Sequence, residues 1–220
     1  MPETQKFYDD DLAYVHDVGF SGFIEKAAPE LLKLLRSAGI DDGRVVDLGC
    51  GGGMWAQTLV ENGFEAIGVD ISESFVEMSR KRVPEATFHV ASFLDFDFPR
   101  CRAVTALGEV LNYCFDSRNR TRALKRFFQR VYSSLEPDGV FVFDVAQPGR
   151  HSGGTRGFWE GEDWANLVDV TCDIANQQLT RHIITFRRIG KHYRRCEESH
   201  TLQLSLIHIS RAHETVVYLV

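Results

Sequence analysis

Long apolar runs and paired cysteines are both missing from this sequence of 220 residues. No stretch approaches the roughly 20 consecutive apolar residues that a helix needs to cross a bilayer, and the N-terminus lacks the layout of a signal peptide. The five cysteines, at positions 50, 101, 114, 172 and 196, include no C-x-x-C pair, which argues against a disulfide framework and a zinc site. We therefore predict a cytoplasmic protein with free thiols, no membrane partner and no metal site.

Dense positive charge is also missing. The net charge is −6, and residues 1–110 carry 19 acids and 10 bases, whereas residues 111–220 carry 12 acids and 15 bases. Affinity for a phosphate backbone comes from neutralising many phosphates at once, so this composition predicts no nucleic-acid partner. The densest basic segment, Arg187 to Arg195, is typical of the solvated face of a hairpin.

Hydrophobic residues make up 44% of the chain, and over residues 1–148 they follow two alternating patterns. Short apolar runs typical of buried strands alternate with segments of helical periodicity. Near-continuous apolar strands separated by helices form parallel sheets that are covered on both faces. We therefore predict an α/β fold with a doubly wound, mostly parallel, Rossmann-like sheet. The predicted helices are 23–38, 54–60, 72–82 and 119–135, and the predicted strands are 44–48, 65–70, 87–91, 103–107 and 140–143.

The pattern changes after Pro148-Gly149. Residues 150–163 are rich in Gly and Arg, and the segments that follow alternate polar and apolar residues with turn signals between them. This alternation predicts an antiparallel three-stranded flap after the fifth strand, attached to the carboxyl edge of the sheet. The predicted flap strands are 165–174, 178–189 and 192–204. The chain then divides into an α/β core over 1–148 and a flap of the same domain over 149–203.

A glycine-rich loop follows the first predicted strand. It is Asp47-Leu48-Gly49-Cys50-Gly51-Gly52-Gly53, and Asp70 ends the next strand, 19 residues after Gly51. Glycines tolerate positive φ and let backbone and ligand approach closely, and ligands of open α/β sheets bind outside the carboxyl ends of the strands. A carboxylate at position 70 is placed to accept two hydrogen bonds from a ribose diol. The sequence therefore predicts a nucleoside site.

Two nucleoside cofactors fit this loop. The segment from Gly51 to Ala56 satisfies the dinucleotide pattern G-x-G-x-x-A, which is weak in isolation and leaves an NAD-dependent oxidoreductase as an alternative. Three features favour S-adenosyl-L-methionine: Asp47 precedes the loop, the glycines begin one residue after the strand, and the chain has no Tyr-x-x-x-Lys pair for hydride chemistry. An acid at position 47 suits the cationic amino group of a methionine moiety better than it suits a pyrophosphate.

Three segments resemble, in order, the first three motifs of class I S-adenosylmethionine-dependent methyltransferases of the small-molecule type. They are residues 45–53, 68–72 and 88–93, and the resemblance covers about residues 7–203. It implies an enzyme that transfers a methyl group from S-adenosyl-L-methionine to a small-molecule acceptor. It also implies that the core over 1–148 binds the cofactor and that the segment from Tyr8 to Tyr14 folds over it.

The same resemblance implies the cofactor contacts. Asp47 and the glycine loop would line the methionine part, and Asp70 would bind the ribose hydroxyls. Ile71 would pack on adenine, and Ser92 with Phe93 would flank the adenine edge. The cofactor-binding residues predicted in this way are Tyr14, Asp47, Gly49, Cys50, Gly51, Gly53, Asp70, Ile71, Ser92, Phe93 and Leu107.

Two features depart from patterns found in related methyltransferases. Ser92 stands where many relatives have an Asp that accepts the adenine amino group, and a serine hydroxyl accepts more weakly. The fourth strand ends in Leu107-Gly108-Glu109-Val110-Leu111-Asn112-Tyr113 instead of Asn/Asp-Pro-Pro-Tyr. The second departure disfavours methylation of DNA bases.

No catalytic residue is assigned from the sequence. Methyl transfer depends mainly on in-line orientation, which can supply ~7–11 kcal/mol without a dedicated acid or base. Where the acceptor must lose a proton, Glu109, His16 and Asp144 are the candidates. Oxygen, nitrogen and carbon acceptors all stay open, as does the oligomeric state, and the second hypothesis is a non-catalytic nucleoside-binding module.

Residues 204–220 are predicted to be foreign to the domain. Related proteins continue from the flap into a last helix and a hairpin, whereas the segment from Leu204 to Ser210 matches the translation of CTGTCTCTTATACACATCT, a transposase adapter used in sequencing libraries. The segment from Arg211 to Thr215 matches the adapter's continuation after a one-base frame slip. We expect that the natural chain was cut near Gln203, which leaves an exposed edge on the fifth strand onto which residues 216–220 could fold.

Overall fold

The computed structural model describes residues 7–149 and 154–204, and the backbone alone of 216–218. The helices are α1 (Asp10–Gly19), α2 (Gly22–Ser37), α3 (Met54–Glu61), α4 (Glu73–Arg82) and α5 (Thr121–Ser134), and a 3₁₀ turn covers Val110–Asn112. The strands are β1 (Gly43–Leu48), β2 (Phe64–Asp70), β3 (Thr87–Val90), β4 (Cys101–Ala106), β5 (Leu135–Phe143), β6 (Thr155–Glu160), β7 (Trp164–Asp173), β8 (Gln178–Ile189), β9 (His192–Gln203) and β10 (Val216–Tyr218).

A parallel sheet in the order β10-β5-β4-β1-β2-β3 organises the first part of the chain. The inner strands are apolar on both sides because both faces are covered: one cluster packs against α2 and α3, and a second packs against α5. The predicted doubly wound α/β fold is therefore confirmed. Strand order reverses between β1 and β4, and this switch point is where open α/β sheets bind ligands.

Most observed boundaries lie within three residues of the predicted ones, but β5 and α1 differ, as does the flap. β5 begins at Leu135, earlier than predicted, because Leu135 pairs with Cys101 before a register shift between Cys101 and Ala103. α1 was not assigned as a helix from the sequence. Its first turn carries Asp10 and Asp11, which favour a helix N-terminus, and it buries Leu12, Ala13 and Val15.

The flap has four antiparallel strands, in the order β6-β7-β8-β9, so the prediction of three strands was wrong. The missed strand, β6, lies in the Gly- and Arg-rich segment and pairs with β7 from Thr155 opposite Val170 to Glu160 opposite Ala165. β6 is an edge strand, and most of its side chains are exposed. A strand that packs neither face into a core does not need alternating apolar residues, so its sequence carries no strand signal.

α1 connects the flap to the parallel-sheet layer. Toward the flap, Asp11 pairs with Arg187 and Arg194, and the backbone N–H groups of Tyr8 and Asp9 donate to Glu198.

Toward α4, the Asp17 carboxylate accepts two hydrogen bonds from Arg82. The hydroxyl of Ser72 donates to the Tyr8 carbonyl, and that of Ser74 donates to Asp10. The N-terminal segment thus spans the two layers at the side of the sheet where ligands bind.

Little of the suspected foreign tail lies within the described residues. Leu204 packs in an apolar cluster with Ala146, Val170, Leu179 and Leu202, and the backbone of β10 pairs in parallel with β5. The foreign origin of residues 204–220 stays a prediction. Within the described part of the chain, no helix has the length and apolar character needed to span a membrane.

Candidate functional site

A cavity of about 430 Å³ opens at the carboxyl ends of β1, β2 and β4. Its wall includes the glycine loop, the ends of these strands, His16 and Asp17 of α1, and Arg181 of β8, so the flap and α1 help to enclose it. This volume lies within the range of small-molecule sites. The cavity therefore coincides with the predicted ligand position.

The glycine loop is bent so that its backbone faces the cavity. Gly49 and Gly51 adopt φ values of +65° and +52°, which L side chains rarely adopt. A Cβ at Gly49 would lie 2.3 Å from Val110 Cγ2, whereas a Cβ at Gly51 would meet nothing within 4 Å. Gly49 thus permits close packing beneath the loop, and Gly51 leaves open space above it.

Asp70 is anchored at the end of β2 by the loop itself. Its Oδ2 accepts the N–H of Gly51 and its Oδ1 accepts the N–H of Ser72, each at 2.9 Å. Burial raises the pKa of Asp70, and these backbone hydrogen bonds partly oppose that rise. Each oxygen keeps further acceptor capacity toward the cavity, as binding of a vicinal diol requires.

Asp47 lies deeper, at the end of β1. Its Oδ1 accepts the hydroxyl of Thr105 at 2.7 Å, and Thr105 in turn accepts the indole N–H of Trp55 at 3.2 Å. Burial raises the pKa of Asp47 to about 7, although the bond from Thr105 lowers it. A cationic group placed beside this carboxyl would favour its ionised form.

The far end of the cavity combines a fixed ion pair with aromatic side chains. Arg181 donates to Glu109 Oε2 at 2.7 Å and to the Tyr113 hydroxyl at 2.9 Å, and that hydroxyl lies 3.2 Å from the hydroxyl of Tyr8. Glu109 has a φ of +64°, and Asp144 accepts its N–H, which holds the loop after β4 in place. This end can bind a polar molecule through several donors and acceptors.

All three candidate bases border the cavity. Glu109 is paired with Arg181 and Asp144 is engaged by backbone N–H groups, whereas the His16 side chain is solvent-exposed at the cavity wall.

Nine of the eleven predicted cofactor residues line this cavity. Tyr14 does not: its hydroxyl bonds to Asp163 and its ring lies under Arg187, because residues two apart on a helix face different sides and it is His16 that faces the cavity. Gly53 does not either: it is the N-cap of α3, and a Cβ at this position would lie 3.0 Å from Ser79 Cβ of α4. The nine lining residues are Asp47, Gly49, Cys50, Gly51, Asp70, Ile71, Ser92, Phe93 and Leu107.

Several lining residues were missed from the sequence. Tyr113, Phe115 and Asp116 lie between the fourth strand and α5, and Arg181 lies in the flap. Tyr113 lies in the segment from Leu107 to Tyr113 that follows the fourth strand, and this position is its only signal in the sequence. Arg181 had none, because the folding of the flap over the sheet brings it to the site.

Comparison with known proteins finds similarity over part of the chain. Residues 45–139 match the family described as "Methyltransferase domain". The chain is 30% identical over 114 residues to a ubiquinone biosynthesis O-methyltransferase of Alkalilimnicola ehrlichii, covering 49% of this chain and 43% of that protein. It is 28% identical over 141 residues to dTDP-3-amino-3,4,6-trideoxy-alpha-D-glucopyranose N,N-dimethyltransferase of Streptomyces venezuelae, covering 62% of this chain and 58% of that protein.

The fold has a solved counterpart. An S-adenosylmethionine-dependent methyltransferase from Clostridium acetobutylicum superposes with a TM-score of 0.74 at 18% identity, covering 88% of this chain and 80% of that one. The chain spans about half the length of the curated relatives it matches. These findings confirm the resemblance to class I S-adenosylmethionine-dependent methyltransferases and the fold that it implies.

Proposed function

We propose that this chain, which carries a class I S-adenosylmethionine-dependent methyltransferase domain, transfers the methyl group of S-adenosyl-L-methionine to a small-molecule acceptor. The observation that carries the proposal is the position of Asp70. Its two carboxylate oxygens are oriented by Gly51 and Ser72 at the edge of the cavity, beside a loop that leaves open space at Gly51. This arrangement suits a ribose diol next to a glycine-lined path.

The residues of the cavity fit the cofactor from end to end. Asp70 would accept the ribose hydroxyls, and Asp47 would face the cationic amino group of the methionine moiety, whose charge suits a buried carboxyl. Gly49, Cys50 and Leu107 would line the path between these two groups. Ile71, Ser92 and Phe93 would surround the adenine. Bound in this way, S-adenosyl-L-methionine would supply a sulfonium methyl group to an acceptor lone pair, with the carbon–sulfur electrons returning to sulfur.

The far end of the cavity is the proposed acceptor site. Arg181, Glu109, Tyr113 and Tyr8 present donors and acceptors there, and residues of α1 and the flap form part of its wall. Fixing acceptor and methyl group in line would supply most of the rate enhancement, ~7–11 kcal/mol. His16 is the proposed proton acceptor where the reaction releases a proton, because its solvent-exposed imidazole borders the cavity.

An amine is the first acceptor class to test. The curated relatives include three dTDP-aminosugar N,N-dimethyltransferases, and the similar structures include a sugar N-methyltransferase from Streptoalloteichus.

A cytoplasmic location belongs to the same proposal. It is supported by the cysteines, all of which lie among the described residues and none of which forms a disulfide.

Calorimetry with S-adenosylhomocysteine tests the cofactor. The unsubstituted chain should bind it, and Asp70→Ala should weaken binding by about a hundredfold, because two hydrogen bonds to a carboxylate are lost. Asp173→Ala is the matched control: Asp173 is an exposed carboxylate at the end of β7, so its loss should change the affinity less than twofold. Binding of NADH instead of S-adenosylhomocysteine would overturn the proposal.

Methyl turnover separates an enzyme from a nucleoside-binding module. Radiolabelled methyl transfer should be measured against a panel of aminosugars, other primary amines, alcohols and thiols. We expect turnover with at least one amine. Tight binding of S-adenosylhomocysteine without turnover of any class would instead support the non-catalytic alternative.

A further inference from the structure

A carboxylate that was not predicted from the sequence, that of Asp116, lies at the adenine end of the cavity. Asp116 lies in the loop before α5 and borders the same cavity as Ser92 and Phe93. The hydroxyl of Ser92 donates to Asp116 Oδ2 at 2.7 Å. Ser92 stands at the position where related methyltransferases often have Asp. Asp116 therefore places a carboxylate next to that position, although it lies 24 residues further along the chain.

Asp116 is held in its ionised form by Arg118. Its Oδ1 accepts the backbone N–H and the Nε of Arg118, each at 2.9 Å, and its Oδ2 accepts Nη2 at 2.6 Å. Hydrogen bonds from Arg118 lower the pKa of Asp116 to about 2, although burial opposes this. A carboxylate offers about four acceptor sites, and these three bonds together with the bond from Ser92 occupy them. Asp116 therefore acts on a ligand through Ser92 and not directly.

Ser92 is consequently restricted to one role toward the cavity. Its single proton is committed to Asp116, and one of its two lone pairs receives the N–H of Leu94 at 3.3 Å. The other lone pair is available to accept a hydrogen bond. A hydroxyl whose proton points to an anion is polarised, which strengthens its oxygen as an acceptor.

We propose that Ser92 and Asp116 together recognise the exocyclic amino group of the adenine, with Asp116 as a positioning residue that keeps the Ser92 hydroxyl an acceptor. The inference rests on the proposed function and assigns to this pair the discrimination between 6-amino and 6-oxo purines. A 6-oxo purine would direct an oxygen lone pair at the lone pair of Ser92, which is unfavourable. A serine and a carboxylate from another loop thus replace the single acidic residue of many relatives.

The test is calorimetric titration with S-adenosylhomocysteine and with S-inosylhomocysteine, in which an oxygen replaces the 6-amino group. The unsubstituted chain should bind the adenosyl compound about tenfold or more tightly than the inosyl compound. Asp116→Ala releases the Ser92 proton to point either way, so this preference should fall about fivefold or more. Ser92→Ala removes the hydroxyl without disturbing the Arg118 contacts, and it should also lower the preference.

An exchange variant and a control make the result specific. Ser92→Asp combined with Asp116→Ser moves the carboxylate to the position of the relatives' acid and should restore the preference. Asp173→Ala removes an exposed carboxylate at the end of β7, outside the site, so the preference should change less than twofold. The two compounds also differ at purine N1, and comparing the ratio of their affinities between variants cancels that difference. General structural damage lowers the affinity for both compounds alike and leaves the ratio unchanged.

The outcomes separate this inference from the function on which it rests. Equal affinity of the unsubstituted chain for the two compounds, or an unchanged preference in both Asp116→Ala and Ser92→Ala, overturns the role of the pair and leaves the cofactor assignment standing. Failure of the unsubstituted chain to bind S-adenosylhomocysteine overturns both.

Discussion

Two polar residues of the site have partners that the sequence pattern does not reveal. Asp47 and Asp70 are recognisable because they flank the glycine loop and end neighbouring strands, and Asp70 is held by Gly51 and Ser72 of the same motifs. The less predictable partners are Thr105, which bonds to Asp47 from β4, and Asp116, which bonds to Ser92 from the loop before α5. Motif spacing identifies residues that are close in sequence, whereas these contacts arise only when the sheet assembles.

Asp47 makes cofactor affinity depend on pH. Because its pKa is about 7 before a cation is bound, the affinity for S-adenosylhomocysteine should rise with pH below 7, approaching about tenfold per pH unit, and should level off above 7. Titrations between pH 5.5 and 7.5 check this. Asp47→Asn should bind more weakly at pH 7.5 and lose most of the pH dependence, while Asp173→Ala should keep the profile of the unsubstituted chain.

The same group makes the ligand-free protein less stable as pH rises. An aspartate ionises near pH 4 when unfolded but near pH 7 in the folded chain, so the folded state holds an extra proton between these values. The contribution of Asp47 to stability therefore falls from about pH 4 to about pH 7. A Tm for Asp47→Asn that does not exceed that of the unsubstituted chain at pH 8 would contradict this assignment.

At the scale of elements, α1 decides whether the cavity is enclosed. Asp11 is buried and faces Arg187 and Arg194 of the flap. Although burial alone would raise it, the hydrogen bonds from Arg194 and Cys196 lower the pKa of Asp11 below its ordinary value. The stabilising effect of this carboxylate is therefore present near neutral pH and is lost as the pH falls through its folded pKa.

Asp11→Asn should loosen α1 from the flap. Loss of hydrogen bonds to a charged group weakens the local contact by about 1–3 kcal/mol, so the amides of α1 should exchange with deuterium faster by roughly tenfold or more. Affinity for S-adenosylhomocysteine should fall because the covered state is less populated. Asp169→Asn breaks the exposed pair with Arg156 within the flap and is the control. Unchanged exchange in α1 would show that other contacts hold this helix.

At the scale of the whole molecule, the described residues that line the cavity belong to the core and the flap. The lining residues run from Tyr8 to Arg181, and the suspected foreign tail contributes none of them within the described part of the chain. β10 instead pairs with the outer edge of β5 through its backbone.

Deleting residues 205–220 should leave the affinity for S-adenosylhomocysteine within about twofold. The deletion removes the strand next to β5 and exposes that edge, so a greater tendency to self-associate is expected at high concentration. Calorimetry and light scattering on the shortened chain measure these two effects. A loss of binding by a folded shortened chain would show that the tail supports the site.

The amino-acid sequence by itself determined the parallel sheet, the glycine loop and the two acids beside it, because apolar periodicity and loop chemistry are local properties of the chain. It did not determine β6, whose exposed edge position needs no apolar pattern, or the direction in which Tyr14 faces. Only the tertiary structure decided that Arg181 pairs with Glu109 and that Asp116 fixes the hydroxyl of Ser92. Those contacts join residues far apart in sequence, and their geometry exists only once the flap and the loops have packed onto the sheet.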